Sequence, residues 1–204
     1  MARPRSEDRR NAILSAATRV IATQGLRAST ASIAKEAGVS NGSLFVYFET
    51  KAALLNDLYV DIKIEMGATS VAGLPSEGDA RQQLRHVWNQ WLRWAIANPE
   101  KRRALALLQI CDQITAESHG MAREAQRLVA DVFERSWADG PMSDVAVGFA
   151  LILTNGIAEA AIDAITRDPA DAETHGDIAF EAVWRVLAGT PGPSNDSSYR
   201  KDTI

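Results

Sequence analysis

Cysteine is almost missing from this chain: Cys111 stands alone in 204 residues. No intramolecular disulfide can form, and nothing marks an oxidising compartment, so a reducing cytosol fits best. Histidine is nearly as scarce. His86, His119 and His175 lack metal-ligand spacing, and Cys111 has no histidine beside it. A Gly-rich phosphate cradle and a nucleophile elbow are both missing. The reading is therefore of a protein that is not an enzyme, with no cofactor and no metal. The beginning, MARPRSEDRR, contains no uninterrupted apolar core and runs into an amphipathic segment, so neither a secretory signal nor a membrane span is expected there. A soluble, cytoplasmic protein without a membrane partner follows as the expectation. β-Alternation of useful length and internal repeats are lacking too. The expected fold class is all-α.

Net charge is -4, which argues against nucleic acid only if it is spread evenly. It is not. Residues 1–60 hold eight Lys/Arg against five Asp/Glu, a net +3, whereas the remainder is strongly acidic. The basic end is the one that could meet phosphate.

Helical spacing organises that end. Ile13, Ala17, Val20 and Ile21 trace a first helix with Gly25 as its C-cap. Ser29 and Thr30 offer hydroxyls to the amides of a short second helix carrying Ile33, Ala34 and Ala37 and stopping at Gly38. A third begins a few residues later, with Leu44 and Phe48 on one face and Asn41, Ser43, Phe45 and Tyr47 shared between flanks and solvent. Lys51 opens a longer fourth through Leu54, Leu55, Leu58 and Ile62. Gly73, Pro75 and Gly78 mark the best linker, over 69–78. Beyond it, Leu84, Val87, Trp88, Trp91, Ala95 and Ile96 trace an amphipathic helix stopped near Asn98, with Pro99 suited to the first turn of the next. Further helices are expected at about 100–114, 119–138, 143–167 and 173–188, and the Pro/Gly/Ser-rich tail reads as disordered. The expected organisation is a helical N-terminal domain over 1–55 with a flexible basic arm at 1–8, a second helical domain over 56–188, and a tail at 189–204.

Two short helices over a tight turn need a small residue where they touch, glycine at the turn and apolar anchors behind the second helix. Ala34, Gly38, Val39 and Leu44 take those places in order. Ser40 is placed to cap the third helix and turn its free amides toward phosphate. The stretch Thr30-Ala-Ser-Ile-Ala-Lys-Glu-Ala-Gly-Val-Ser-Asn-Gly-Ser-Leu-Phe-Val-Tyr-Phe-Glu-Thr-Lys51 closely resembles the DNA-binding signature of the TetR family, over roughly residues 10–55. That resemblance implies phosphate contacts from Thr30, Tyr47 and Lys51 and places Asn41, Gly42 and Ser43 at the groove-facing start of the recognition helix. Phe45 departs from the family's usual tyrosine, which substitutes an apolar contact to a thymine methyl for a hydroxyl contact. Ala31 stands where some members have an arginine able to reach a base. Arg3, Arg5, Arg9 and Arg10 would add phosphate or minor-groove contacts from the arm, or simply be solvated.

The remainder must then supply pairing, since one helix-turn-helix reads only a few base pairs. The 143–167 segment is apolar on too many sides for a one-faced surface helix: Val145, Val147, Phe149, Leu151, Ile152, Leu153, Ile157, Ala161, Ile162 and Ile165 surround it. Ile178, Ala182, Val183, Val186 and Leu187 offer a second such face. The resemblance implies a four-helix bundle between two copies, with Phe149, Ile152, Ile157, Val183 and Val186 as candidate dimer contacts. Trp88, Trp91, Trp94, Phe133, Trp137, Met66 and Cys111 supply aromatic and polarizable surface of the kind small-molecule pockets use, and ordinary core packing explains most of them equally well. Asn155, Glu159 and Asp163 form a polar row that is either solvated or, if buried, suited to a polar or cationic ligand. Gln109, Asp112 and Gln113 are similarly ambiguous. The expected partners are double-stranded operator DNA, an unknown small molecule and a second copy of the chain. The function that follows is a homodimeric repressor released from its operator by the small molecule; the rival is a ligand-independent DNA-binding or scaffold protein on the same fold.

Overall fold

The structure, a computed structural model, describes residues 5–138, 140, 142–144 and 147–189. Arg3, Val145, the side chains of Arg5 and Val147, and the tail beyond Gly189 lie outside the described residues. The secondary structure of the described residues is helical. Contacts divide the chain into two compact units, Met1–Val132 and Phe133–Ile204.

In the first unit, α1 (Arg5–Gln24) buries Ile13, Leu14, Ala16, Ala17, Val20 and Ile21 and ends at Gly25, whose φ of +75° lies in the left-handed region. α2 (Thr30–Glu36), α3 (Asn41–Tyr47) and α4 (Lys51–Val71) follow, then α5 (Ala80–Ala97), α6 (Pro99–Gln109) and α7 (Ala116–Ala125). Short polar side chains set several starts. Ser29, Ser40, Thr50, Asp79 and Thr115 each accept a hydrogen bond from a backbone amide three residues on, satisfying a donor that the helix itself leaves open. Pro99 occupies the first turn of α6, as its missing amide allows. α4 is the central helix of this unit. It packs against α1, α5, α6 and α7, and so buries Leu54, Leu55, Leu58, Tyr59, Val60, Ile62 and Met66 on several sides. Each such leucine or isoleucine contributes on the order of 1.5–3 kcal/mol by leaving water.

Two boundaries differ from expectation. α6 stops at Gln109, short of about 114, and the helix expected over 119–138 is two, α7 and α8 (Arg127–Trp137), separated at Gln126. Tertiary contact breaks it. The Gln126 side-chain amide donates to the Lys63 carbonyl of α4 at 2.5 Å, and a Cβ on Gly67 would stand 2.5 Å from the Ala125 carbonyl oxygen. α4 and the end of α7 therefore meet backbone to backbone, and only glycine fits at position 67 without displacing one of them.

In the second unit, α9 (Val147–Arg167) leads through a 3₁₀ turn (Pro169–Asp171) to α10 (Ala172–Ala188), which packs along it. Ala150, Ala158, Ala161, Ile162 and Ile165 of α9 are buried, as are Ala179, Phe180, Val183 and Leu187 of α10. The stretch Gly148–Arg167 is also long and apolar enough to cross a membrane by length and composition alone, and 33% of its most apolar window is buried.

Candidate DNA-binding surface

The helix-turn-helix is built from backbone and small residues. Ile33 and Ala34 of α2 are buried, and the Val39 amide donates to the Ala34 carbonyl at 2.9 Å. Gly38 closes the turn with φ +68°, a conformation that strains any side chain bearing a Cβ. Ser40 then caps α3: its hydroxyl accepts from the Ser43 amide at 3.0 Å and donates to the Ser43 hydroxyl at 3.0 Å. Leu44 and Phe48 are buried behind α3 and fix which way it faces.

That orientation presents a short surface. Ser40, Asn41, Gly42 and Phe45 are exposed, and Ser43 and Tyr47 are half-buried at its edges. Thr30 lies half-buried in the first turn of α2. Phe45 is 41% exposed and Val46, which helical spacing from Leu44 places on the outer side, 81% exposed. Val46 is the residue that sequence reasoning passed over. The signal was available, because Leu44 and Phe48 define the inner face and position 46 lies opposite them.

Lys51 has a structural engagement that the sequence did not foretell. Its ammonium donates to the Leu26 carbonyl at 2.6 Å, tying the start of α4 to the α1–α2 connection. An ammonium carries three donors, so this bond leaves capacity for phosphate. Behind the surface, Arg10 pairs with Asp57 at 2.7 Å and lies 5.6 Å from the centre of the Phe48 ring, while Arg19 pairs with Glu36 at 2.7 Å. Arg10 is thus held against α4 and the base of α3, whereas Arg9 is exposed.

A ladder of carboxylates continues along α4 at four-residue spacing, Asp57, Asp61 and Glu65. Glu65 accepts from the Trp94 indole N–H at 2.9 Å and from Lys101, joining α4 to α5 and α6. Burial pushes the Glu65 pKa up, but the hydrogen bonds from Lys101 and Trp94 outweigh it and hold the carboxyl below its ordinary value. Asp61 is raised, first by burial and then by its neighbours Glu65 and Asp57, with Arg10 and Lys101 opposing. Burial also lowers the Lys63 ammonium, and it raises the Tyr59 hydroxyl against the opposing charge of Arg123. Tyr59 and His119 share a hydrogen bond of 3.2 Å between α4 and α7.

The ligand candidates separate. Trp88 is buried and Trp91 half-buried on α5, with ring centres 6.2 Å apart; Cys111 is half-buried in the same unit. Trp94, grouped with them by composition, is committed to Glu65. Phe133 belongs to the second unit and packs edge-on to Trp137 at 6.2 Å. Asn155 and Glu159 are exposed, as is Asp163, which lies 3.6 Å from Arg167. The polar row of α9 therefore faces solvent rather than a buried pocket, because the buried stripe of that helix runs through Ala150, Thr154, Ala158, Ala161 and Ile165. Gln109, Asp112 and Gln113 are exposed as well.

Among the dimer candidates, Phe149 is 52% and Ile152 69% exposed, and Ile157 and Val186 are half-buried. Val183 is fully buried inside its own unit and is a core residue there, not a surface one. Together with Leu153, Gly156 and Ala160, Phe149 and Ile152 form one exposed stripe of apolar and small residues along α9.

A capped pair of helices over a glycine turn, with its second helix turned outward at the basic end of the chain, defines the class: a helix-turn-helix DNA-binding protein. Residues 13–58 match the bacterial regulatory proteins of the tetR family. The whole fold agrees. A TetR-family transcription regulator from Shewanella sp. PV-4 superposes with a TM-score of 0.77 at 27% identity, covering 88% of this chain and 98% of that one. Another from Marinobacter aquaeolei VT8 gives 0.76 at 22% identity, covering 92% and 99%. FadR from Bacillus subtilis, solved with stearoyl-CoA, gives 0.63 at 17% identity, covering 88% and 98%. The chain carries the DNA-binding domain and the fold of a TetR-family transcription regulator.

Proposed function

We propose that the protein is a cytoplasmic, homodimeric repressor that leaves its operator when a small molecule binds the helices beyond the DNA-binding domain. The observation that carries the dimer is the α9 stripe. Phe149 and Ile152 stand one turn apart on it, 52% and 69% exposed, with exposed Leu153 beside them, and together leave more apolar surface open than a single scattered side chain. A second copy is the occupant with matching chemistry, since a two-fold interface is self-complementary and Gly156 and Ala160 allow two helices to approach closely. The same apolar face accounts for the membrane-like composition of α9 without a membrane.

Two reading heads then engage half-sites about 34–36 Å apart, or a multiple of that spacing, on a near-palindromic duplex. Thr30, Ser40, Tyr47 and Lys51 would hold phosphates, while Asn41, Gly42, Ser43 and Phe45 would face base edges. A ligand against the Trp88 and Trp91 face of α5 would act through α4, the helix to which Glu65 and Lys101 tie α5 and α6. FadR, a regulator of similar fold solved with an acyl-CoA, supports small-molecule control as a use of such a fold. Release requires that the ligand prefer the DNA-incompetent arrangement; typical couplings of about 1–3 kcal/mol weaken binding roughly 5- to 150-fold.

Sedimentation at micromolar concentration, free and with duplexes selected from a random pool, tests the assembly. A dimer that protects two half-sites is expected, and a chain that stays monomeric in both states would overturn the proposal. Those duplexes also test ligand release: loss of affinity in a small-molecule screen, abolished by Trp88→Ala in a folded dimer, is the expected result. Indifference of Trp88→Ala would remove that face from the pocket.

A further inference from the structure

α3 has seven residues, and its inner side is occupied by Leu44 with Phe48 just beyond its end. At 100° per residue the opposite, outer line runs through Gly42 and Val46, one turn apart. Neither residue is accounted for by the chain's own packing. Val46 is 81% exposed, so its isopropyl group gains nothing from burial, and a β-branched residue is a poor helix former. Gly42 has no left-handed backbone to accommodate, and a Cβ there would meet only the Ser40 hydroxyl oxygen, at an ordinary 3.9 Å. Glycine nevertheless loses more backbone freedom on folding than alanine would at the same place. A bare backbone followed one turn later by an exposed apolar group makes a low, methyl-lined ridge at the centre of the exposed surface.

The major groove offers one apolar group, the C5-methyl of thymine. Paired contacts to guanine need arginine or lysine, and α3, reading Asn-Gly-Ser-Leu-Phe-Val-Tyr, contains neither. We infer that Val46 is a specificity-determining residue whose isopropyl group seats on a thymine methyl near the centre of each half-site, with Gly42 admitting the helix close to the groove floor. This rests on the DNA-binding reading of α3. It differs from a contact through Phe45, which lies about 100° round the helix, on the flank.

The test uses the full-length protein and a duplex recovered from a random pool, remade with deoxyuridine at one thymine at a time so that single methyl groups are deleted. Wild type should lose about four-fold in affinity at one thymine of each half-site, the effect of one buried methyl. Val46→Ala should bind the thymine duplex more weakly and be indifferent to that same replacement. Val46→Thr, which keeps the shape and exchanges one methyl for a hydroxyl, should show a reduced penalty, and it carries the comparison if Val46→Ala fails to fold. Tolerance of uracil at every position, or a penalty identical in wild type and both variants, overturns the assignment while leaving DNA binding intact. Failure to recover any duplex overturns the DNA-binding reading itself, and this assignment with it.

Discussion

α3 and α9 both expose apolar side chains, yet the two surfaces are built differently. On α3, Phe45 and Val46 are bounded by Ser43, Asn41 and the capping hydroxyl of Ser40, so the apolar area is small and rimmed with hydrogen-bonding groups. On α9 the stripe runs from Phe149 through Ile152 and Leu153 to Gly156 and Ala160, a longer run of apolar and small residues with exposed Asn155 and Glu159 along one flank. A base-pair edge presents one methyl among donors and acceptors, whereas the core of an interface between two copies is mostly apolar within a polar rim. Exposure alone says little about a partner; the chemistry bordering the exposed group says more.

The largest expected effect comes from breaking the α9 surface. Phe149→Asp with Ile152→Asp should give a monomer in sedimentation velocity with its helical signal retained. Its affinity for a two-half-site duplex should fall by roughly 10²-fold or more, because the second head no longer engages intramolecularly. A charged pair at these positions that left the dimer intact would return the stripe to ordinary exposed surface.

Lys51→Ala sharpens the other side of the comparison. Loss of a phosphate contact should weaken binding to all sequences alike and lower the salt slope by about one per half-site. The same change removes the bond to the Leu26 carbonyl, so thermal unfolding should show a separate loss of about 1.5–3 kcal/mol, as for a hydrogen bond to a charged group. A changed base preference with an unaltered salt slope would assign Lys51 to base readout instead. Tyr47→Phe, if Tyr47 holds phosphate through its hydroxyl, should weaken binding uniformly without altering the slope.

A smaller effect belongs to the Glu65 junction of α4 with α5 and α6. Glu65→Ala leaves the buried Trp94 indole N–H without its acceptor and should cost about 1–3 kcal/mol in denaturant unfolding. Glu65→Gln keeps an acceptor and should cost less. Because the folded state holds this carboxyl below its ordinary 4.5, its contribution is present above that pH and lost as pH falls through the lowered value. Glu65→Gln should flatten that part of the acid limb, and an unchanged limb would remove Glu65 from the linkage. The smallest effect is expected at Asp61, whose pKa is raised: the ionised form is disfavoured by folding, so its penalty appears as pH rises through the raised value. Asp61→Asn should stabilise slightly at neutral pH, by less than about 0.5 kcal/mol because solvent still reaches this half-covered group, with no gain once the carboxyl is protonated in both folded and unfolded states.

Local signals made the DNA-binding end readable. Caps at Ser29 and Ser40, glycine stops at Gly25 and Gly38, and the four-residue interval between Leu44 and Phe48 act within one or two turns, so their spacing in the chain is their spacing in space. Val46 was legible by the same rule, as the position opposite that pair. The Gln126 break was not: nothing within α7 or α8 ends the helix there, and its cause, the approach of Gly67, lies some sixty residues away. Val183 and the Asn155 to Asp163 row were equally illegible. Periodicity tells which residues share a face but not which face another helix covers.

The sequence by itself determined the helical class, the caps and turn of the reading head, and the charge asymmetry, because each depends on the chemistry of neighbours along the chain. Only the tertiary structure decided that Lys51 grips the Leu26 carbonyl, that Trp94 serves Glu65, and that α9 buries Ala150, Ala158 and Ala161 while exposing Phe149 and Ile152. Those choices depend on which helix occupies the space beside each side chain, and contacts between distant segments compete for that space in a way that no local pattern encodes.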